Sequence, residues 1–250
     1  MKRKYEIAVV SKGAYARTLR IYAPKKADRA VIMHDGQNAF YDRDASYGKS
    51  WRVLDILKAC GIKNTAVVGI DSTPSRDDDY LPFENELAAY GIKKCGGKAS
   101  AYSDYIETRV IPYLDKRFGF KLYGMLGSSA GALATLDFAE KNLSSFKAYG
   151  MYSAPLFVSP NAYDRHLPGA TFDTDAFYHV YVGGNEVTGE GEMPAETESG
   201  LFVNDAFKLV NALKKGGAKN IKLEMDGLAG HDEVSWRIPE KTFFTEFASL

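Results

Sequence analysis

Gly124-Met-Leu-Gly-Ser-Ser-Ala-Gly-Ala-Leu-Ala-Thr-Leu-Asp-Phe138 places two adjacent serines in a cluster of glycine and alanine, with apolar residues on both sides. Its centre, Gly127-Ser128-Ser129-Ala130-Gly131, is a G-x-S-x-G pattern between a strand-like run and a helix-like run. This context is typical of a strand-to-helix turn whose serine has a strained backbone, so its neighbours must be small. The spacing selects Ser129, and not Ser128, as the hydroxyl held at the carboxyl edge of a sheet beside a helix N-terminus.

Strand-like and helix-like segments alternate on both sides of this turn. The predicted strands are Tyr5–Val10, Thr18–Tyr22, Ala30–Met33, Thr65–Ile70, Leu122–Leu126, Ala148–Tyr152, Tyr178–Val182 and Ile221–Met225. The predicted helices are Trp51–Ala59, Ser100–Arg117, Ala130–Glu140, Val203–Lys215 and Pro239–Phe247. Such alternation predicts an α/β fold: a mostly parallel central sheet with helices on both faces, and an antiparallel pair at the N-terminus. Because no repeat or linker is visible, we expect residues 1–250 to form a single domain.

Two segments interrupt the alternation, at about 154–177 and 186–200. In the first, Ser159-Pro160 predicts a short helix, with Ser159 as the N-cap and Pro160 in the first turn. The second carries five glutamates, at 186, 190, 192, 196 and 198. Long irregular connections in a compact domain are commonly functional, so both segments are predicted to form a lid or rim.

Composition narrows the class of partner. Lys plus Arg and Asp plus Glu number 32 each, which favours neither nucleic acid nor an anionic membrane surface and leaves a small molecule as the expected partner. Cys60 and Cys95 are too few for a zinc cluster or a disulfide scaffold. The apolar run Ile7–Val10 is shorter than a signal-peptide core, and no run approaches the length of a membrane span. We therefore expect a cytoplasmic protein; a homo-oligomer is compatible with the sequence.

A serine in such a turn is typical of a nucleophile, and to act as one the Ser129 hydroxyl needs a base that takes its proton. Among the four histidines the best candidate for this base is His231. It follows the last predicted strand, in a glycine-containing loop before the final helix, where catalytic groups are commonly positioned. His34 precedes Ser129, whereas the chain order in this architecture is serine, then acid, then histidine. His179 lies inside a predicted buried strand, and His166 lies in the irregular segment 154–177.

The acid that orients the base is predicted to be Glu186. The strand Tyr178–Val182 runs into Gly183-Gly-Asn-Glu186, a tight turn that delivers this carboxylate. Glu190, Glu192, Asp205 and Asp226 are rivals. Asp232 directly follows His231 and suits a helix cap or loop hydrogen bond better.

An acyl-transfer site also needs two backbone N–H groups that stabilise an oxyanion. One comes from the residue after the nucleophile, Ala130. The other comes from the loop after an early strand, and Val31-Ile-Met-His-Asp-Gly-Gln-Asn38 is such a strand and turn. Gln37 is the predicted second donor.

With these residues in place, the chain resembles the putative esterase family of α/β-hydrolases, which includes esterase D, enterochelin esterases, feruloyl and acetyl-xylan esterases, and mycolyltransferases. The resemblance extends along nearly the whole chain. Its motifs are His34–Asn38, Asp79–Phe83, Gly97–Tyr102, Ile111–Arg117, Gly127–Gly131, Tyr152–Pro155, Gly183–Glu186 and Gly230–Asp232. It implies an α/β-hydrolase fold and a triad of Ser129, Glu186 and His231. The acid turn departs from the usual Gly-Thr-x-Asp/Glu, and Ala130 replaces a bulkier residue, which predicts a wider pocket beside the serine.

Together these observations predict a serine carboxylic-ester hydrolase that forms an acyl-enzyme and needs no cofactor or metal. The resemblance implies acetyl or hydroxycinnamoyl esters of carbohydrates, or similar small esters. A catecholate siderophore is the alternative substrate, ranked lower because the glutamates of 186–200 would repel a strongly anionic ferric complex. An acyltransferase that uses the same triad is a second alternative, and a non-catalytic binding protein is a third.

Overall fold

The computed structural model describes residues 4–11, 16–87, 93–187 and 195–250. Within them, eight strands form one sheet in the order β1-β2-β4-β3-β5-β6-β7-β8. The strands are β1 (Glu6–Val10), β2 (Arg17–Tyr22), β3 (Arg29–Met33), β4 (Thr65–Ile70), β5 (Leu122–Ser128), β6 (Phe146–Tyr152), β7 (Phe177–Gly183) and β8 (Asn220–Asp226). β2 pairs antiparallel with both β1 and β4, and all the other pairs are parallel. The predicted mostly parallel sheet with an antiparallel N-terminal pair is confirmed.

Helices cover both faces of this sheet, as the alternation predicted. They are α1 (Val53–Ala59), α2 (Arg76–Tyr80), α3 (Ala99–Tyr105), α4 (Ile111–Phe118), α5 (Ala130–Ala139), α6 (Pro160–His166), α7 (Ala195–Lys215) and α8 (Glu233–Ser249). A π-helical turn, Ile106–Val110, joins α3 to α4. α1 and α8 pack on one face, and α3, α4, α5 and α7 pack on the other, so the sheet lies between two apolar layers. Strands β3–β7 are therefore almost wholly buried, as parallel strands covered on both sides must be.

The sheet order brings the predicted site segments to one edge. β3, β5, β6, β7 and β8 are consecutive parallel neighbours, so their carboxyl ends meet there. The segments that follow β3, β5, β7 and β8 contain Gln37, Ser129, Glu186 and His231. Residues separated by almost 200 positions are thereby gathered at the edge where open α/β sheets bind ligands.

Two helix starts differ from the prediction by more than two residues. α7 begins at Ala195 instead of Val203, so residues 195–200 are helical and not part of an irregular segment, while 188–194 lie outside the described residues. α8 begins at Glu233, and Pro239 lies inside it rather than in its first turn. The start signal was Asp232, whose carboxylate accepts hydrogen bonds from the backbone N–H groups of Val234 and Ser235.

The segment 154–177 is more regular than predicted. It contains α6, which begins at Pro160 as expected, flanked by the 3₁₀ turns Leu156–Val158 and Leu167–Gly169. The Ser159 side chain does not cap α6, because its hydroxyl donates to the backbone oxygen of Glu84. α2 was not predicted at all, because it is one short turn with three consecutive aspartates and no apolar periodicity.

Among the helices that the structure describes, none combines the length and the apolar character that crossing a bilayer requires.

Glu240 on α8 is a buried carboxyl group with an energetic cost. Its side chain has no exposed surface, and neither carboxylate oxygen has a hydrogen-bond partner among the described residues. Burial raises the pKa of Glu240 well above its ordinary value, and Cys60 adds to this shift while Arg237 opposes it. The folded state therefore favours the neutral acid up to a higher pH than the unfolded chain, which ionises near its ordinary pKa.

The sign of the pH effect follows from this raised pKa. The stability that neutral Glu240 contributes is complete below the unfolded-state pKa and is lost as the pH rises toward the folded-state pKa. We expect the free energy of unfolding of Glu240→Gln to rise relative to that of the wild type by about 1.4 kcal/mol per pH unit between these two pKa values. Urea unfolding from about pH 5 to pH 8 measures this difference. Glu246→Gln, an exposed site on the same helix, is the control. A difference between Glu240→Gln and the wild type that does not change with pH would contradict this assignment.

Candidate active site

Ser129 lies at the turn between β5 and α5 in a strained conformation. Its φ of 54° and ψ of −130° are rare for a residue with a side chain. A Cβ atom at Gly127 would lie 2.2 Å from the backbone oxygen of Gly131, and one at Gly131 would lie 3.2 Å from the Cβ atom of His34. The sharp turn thus requires glycine at 127 and leaves little room at 131, which explains the pattern read from the sequence.

Glu186 and His231 meet at the same edge of the sheet. Nδ1 of His231 lies 2.7 Å from Oε2 of Glu186. The Glu186 side chain is fully buried, whereas 26% of the His231 side chain is exposed. A buried carboxylate on Nδ1 fixes the imidazole orientation and leaves Nε2 for a proton from another group.

Two residues that the sequence analysis did not identify complete this contact. Oε1 of Glu186 accepts hydrogen bonds from the Ser153 hydroxyl at 2.7 Å and from the Gly183 backbone N–H at 2.6 Å. Ser153 in turn accepts a hydrogen bond from Nε1 of Trp236 at 2.9 Å. The Trp236 ring packs edge-on against His231, with centroids 5.0 Å apart. Trp236 therefore supports both members of the Glu186–His231 pair.

Gln37 lies in the 3₁₀ turn Gly36–Asn38, directly after β3. Its backbone N–H donates to no residue that the structure describes, and the same is true of the Ala130 backbone N–H at the start of α5. A Cβ atom at Gly36 would lie 2.3 Å from the backbone of Gly69, so glycine lets the turn pack directly on β4. An oxyanion hole requires N–H groups that are free to donate, so both residues remain candidates and the oxyanion role stays a prediction.

The helix α2 holds this turn in place. The Arg76 guanidinium donates to both carboxylate oxygens of Asp35 at 2.8–3.1 Å, and the Tyr80 hydroxyl accepts from the Asp35 backbone N–H at 3.0 Å. The Gln37 side chain donates to the Ser72 hydroxyl at 2.8 Å and accepts from the Ser72 backbone N–H at 3.0 Å. Arg76 also neutralises a carboxylate that would oppose negative charge at the turn. No sequence pattern pointed to Arg76, because α2 itself lacks one.

These groups surround a cleft of about 460 Å³. Gln37, Ser129 and His231 line it. In this structure no hydrogen bond joins the Ser129 hydroxyl to His231, both of which lie in the described part of the chain. Of the two predicted contacts, the one between Glu186 and His231 is present, and the one between His231 and Ser129 is not.

The predicted rim differs from what lines this cleft. No residue of 154–177 contributes to the lining. That segment reaches the site only indirectly, because Phe157 packs on Phe202 and Phe202 packs on His231, both with centroids 4.9 Å apart. Glu190 and Glu192 lie outside the described residues, so the rim role of the acidic segment stays a prediction.

The remaining histidines have other partners. His34 is buried, with Nδ1 3.1 Å from the Tyr102 hydroxyl, and burial lowers its pKa to about 4. His179 on β7 contacts the Tyr152 hydroxyl at 3.0 Å, and His166 contacts Glu140 at 2.8 Å.

Two rival acids also bond elsewhere. Asp205 accepts from the backbone N–H of Phe157, and burial raises its pKa to about 6. Asp226 accepts from the backbone N–H of Leu228. Neither aspartate bonds to His231.

Comparison with known proteins identifies the family. The profile described as "Putative esterase" matches residues 15–237. No curated protein matches the chain by sequence.

Solved structures share the fold at low sequence identity. An IroE-like serine hydrolase from Shewanella oneidensis is 19% identical with a TM-score of 0.75, over 97% of this chain and 79% of that one. The siderophore hydrolase EstA from Aspergillus nidulans is 14% identical with a TM-score of 0.75, over 99% and 95%. A ferulic acid esterase is 13% identical with a TM-score of 0.65, over 99% of both chains. With the family profile spanning most of its length, this α/β chain belongs to the putative esterase family and is an esterase.

Proposed function

We propose that the protein is a serine esterase in which Ser129 is the nucleophile, His231 the general base and Glu186 the acid that orients the base. The observation that carries this proposal is the 2.7 Å contact between Nδ1 of His231 and Glu186, on the cleft that also holds the strained Ser129. A hydroxyl alone is a weak nucleophile, and an adjacent oriented imidazole is the usual means of activating it.

In the proposed reaction, the Ser129 oxygen attacks the ester carbonyl while Nε2 of His231 takes its proton. Hydrogen bonds between a base and a nucleophile often tighten only when substrate is bound, so the missing contact between Ser129 and His231 is compatible with this reaction. The N–H groups of Gln37 and Ala130 stabilise the oxyanion of the tetrahedral intermediate. His231 then gives its proton to the leaving alcohol. Water activated by the same imidazole hydrolyses the acyl-enzyme and restores the Ser129 hydroxyl.

For the substrate we propose a neutral acylated carbohydrate or similar small ester, with an acetyl or hydroxycinnamoyl group. Trp51 and Trp236 stack with centroids 5.6 Å apart and contribute to the cleft wall, but only 3% and 4% of their surfaces are exposed, so they give this wall an apolar edge and not an open stacking face. Two cations, Arg76 and Lys49, line the cleft beside three carboxylates, Asp35, Asp232 and Glu233, and Arg76 is already paired with Asp35, so the cleft has no excess of positive charge for a strongly anionic ligand. A catecholate siderophore is the second candidate, since a structural neighbour is named for siderophore hydrolysis.

A fluorophosphonate probe tests the proposal directly. We expect one covalent adduct, located on Ser129 by peptide mass spectrometry, with parallel loss of p-nitrophenyl acetate hydrolysis. Ser128→Ala should still be labelled, because Ser128 lacks the strained conformation that presents the hydroxyl. An adduct on another residue, or an active enzyme in which Ser129→Ala still turns over, would disprove the assignment. Product analysis with sugar acceptors separates hydrolysis from acyl transfer.

A further inference from the structure

Glu233 is a buried carboxylate in the wall of the cleft. It is the first residue of α8, only 5% of its surface is exposed, and it lines the cleft together with Ser129 and His231. Its Oε1 accepts a hydrogen bond from the Asn38 side-chain amide at 2.9 Å. Asn38 belongs to the same turn as Gln37, so this pair lies beside the proposed oxyanion hole.

The charge of Glu233 is not neutralised in the way that its neighbours' charges are. Asp35 is paired with Arg76, and Glu186 accepts three hydrogen bonds, one of them from His231. Asp232 caps α8 by accepting two backbone N–H groups. Glu233 makes no ion pair with any Lys, Arg or His in the described ranges. Burial raises the pKa of Glu233, and Asp35 and Asp232 add to this shift, whereas its own backbone N–H and His231 oppose it.

A buried carboxylate without a cation is costly, and such groups concentrate at functional sites. The first turn of α8 favours a negative charge, but the hydrogen bond to Asn38 could be made equally well by a neutral amide, so these contacts do not by themselves require a carboxylate in this buried position. A substrate group that donates a hydrogen bond would compensate this carboxylate, and a substrate carboxylate would be repelled by it.

We propose that Glu233 and Asn38 form a recognition subsite for a hydrogen-bond donor of the ester substrate, a hydroxyl or an ammonium group, and that Glu233 excludes esters carrying a carboxylate at that position. This inference rests on the proposed esterase function and specifies its substrate class. It assigns Glu233 to binding and gives it no part in proton transfer.

Esters that differ at the end of the acyl chain test this subsite. Butyryl, β-hydroxypropionyl and β-alanyl esters of one alcohol are close in size, the larger succinyl ester is paired with the succinamoyl ester as its uncharged isostere, and a matching acetate series varies the alcohol in the same way. We expect the wild type to favour the hydroxyl and ammonium members over the carboxylate member in at least one series, measured as kcat/KM in a pH-stat. In Glu233→Gln the ratio of β-alanyl to succinyl ester, or its counterpart in the alcohol series, should fall at least about tenfold.

The substitution separates recognition from structure. A glutamine oxygen can still accept from Asn38, so only the charge is lost, and Glu246→Gln removes the same charge from the exposed end of α8. Unchanged ratios in both series, or a wild type that prefers the carboxylate members, would overturn the subsite while leaving the esterase assignment intact. If no ester is cleaved and Ser129 is not labelled by fluorophosphonate, both proposals fail.

Discussion

Replacing His231 with alanine is expected to lower kcat/KM for p-nitrophenyl acetate by about 10⁴-fold or more. The Ser129 hydroxyl then has no group to accept its proton, and the leaving alcohol has no proton donor. The strained turn and the oxyanion N–H groups persist, so a small residual rate should remain. Because 26% of the His231 side chain is exposed and its loop ends in a capped helix, the variant should keep its fold.

The structure supplies a matched control for this variant. His166 also contacts a glutamate, at 2.8 Å from Glu140, but it lies on α6 and does not line the cleft. His166→Ala should hydrolyse p-nitrophenyl acetate within about twofold of the wild type, because it leaves the cleft untouched. If both variants lost activity equally, the effect would be one of stability; if His231→Ala stayed active, another base would have to be sought.

Most of the fold was predictable because parallel strands buried on both faces are continuous apolar runs. Thr65–Ile70 was predicted with its observed bounds, and the other strands with ends within two residues. The errors fell where local signals compete. Pro239 resembled a helix start, but the Asp232 cap moved that start six residues earlier.

The residues of the candidate site also differ in whether a local sequence pattern reveals them. Ser129, Glu186 and His231 each stand in a local pattern, a turn or loop after a strand, and their order along the chain restricts the choice. Ser153, Trp236 and Arg76 act through contacts that only the tertiary structure creates; Ser153 and Trp236 are 83 residues apart in sequence. When two side chains from different elements meet only in the folded structure, the sequence contains no periodic pattern that reveals their contact.

Glu186→Gln is expected to lower kcat by about 10³–10⁴-fold, although the two side chains have the same shape. Oε1 of Glu186 accepts from both the Ser153 hydroxyl and the Gly183 N–H, while Oε2 faces Nδ1 of His231. A glutamine amide has only one oxygen. If its NH₂ group faced the Gly183 N–H, two hydrogen-bond donors would meet in a buried site without an acceptor, which is unfavourable. The amide oxygen is therefore held by Gly183 and Ser153, and the NH₂ group faces Nδ1. His231 is then fixed in the tautomer that carries its proton on Nε2, which cannot accept the proton of Ser129.

This reasoning predicts a graded series. Ser153→Ala removes one donor from Oε1 but keeps the carboxylate and the Gly183 N–H, so its loss should be about tenfold, far below that of Glu186→Gln. Glu140→Gln, next to the remote His166, should leave kcat unaltered and serves as the matched control. Melting temperatures of all three variants separate catalysis from stability. If Glu186→Gln kept most of the wild-type kcat, the acid would have to be one of the rival carboxylates, and Glu190→Gln and Glu192→Gln would identify which.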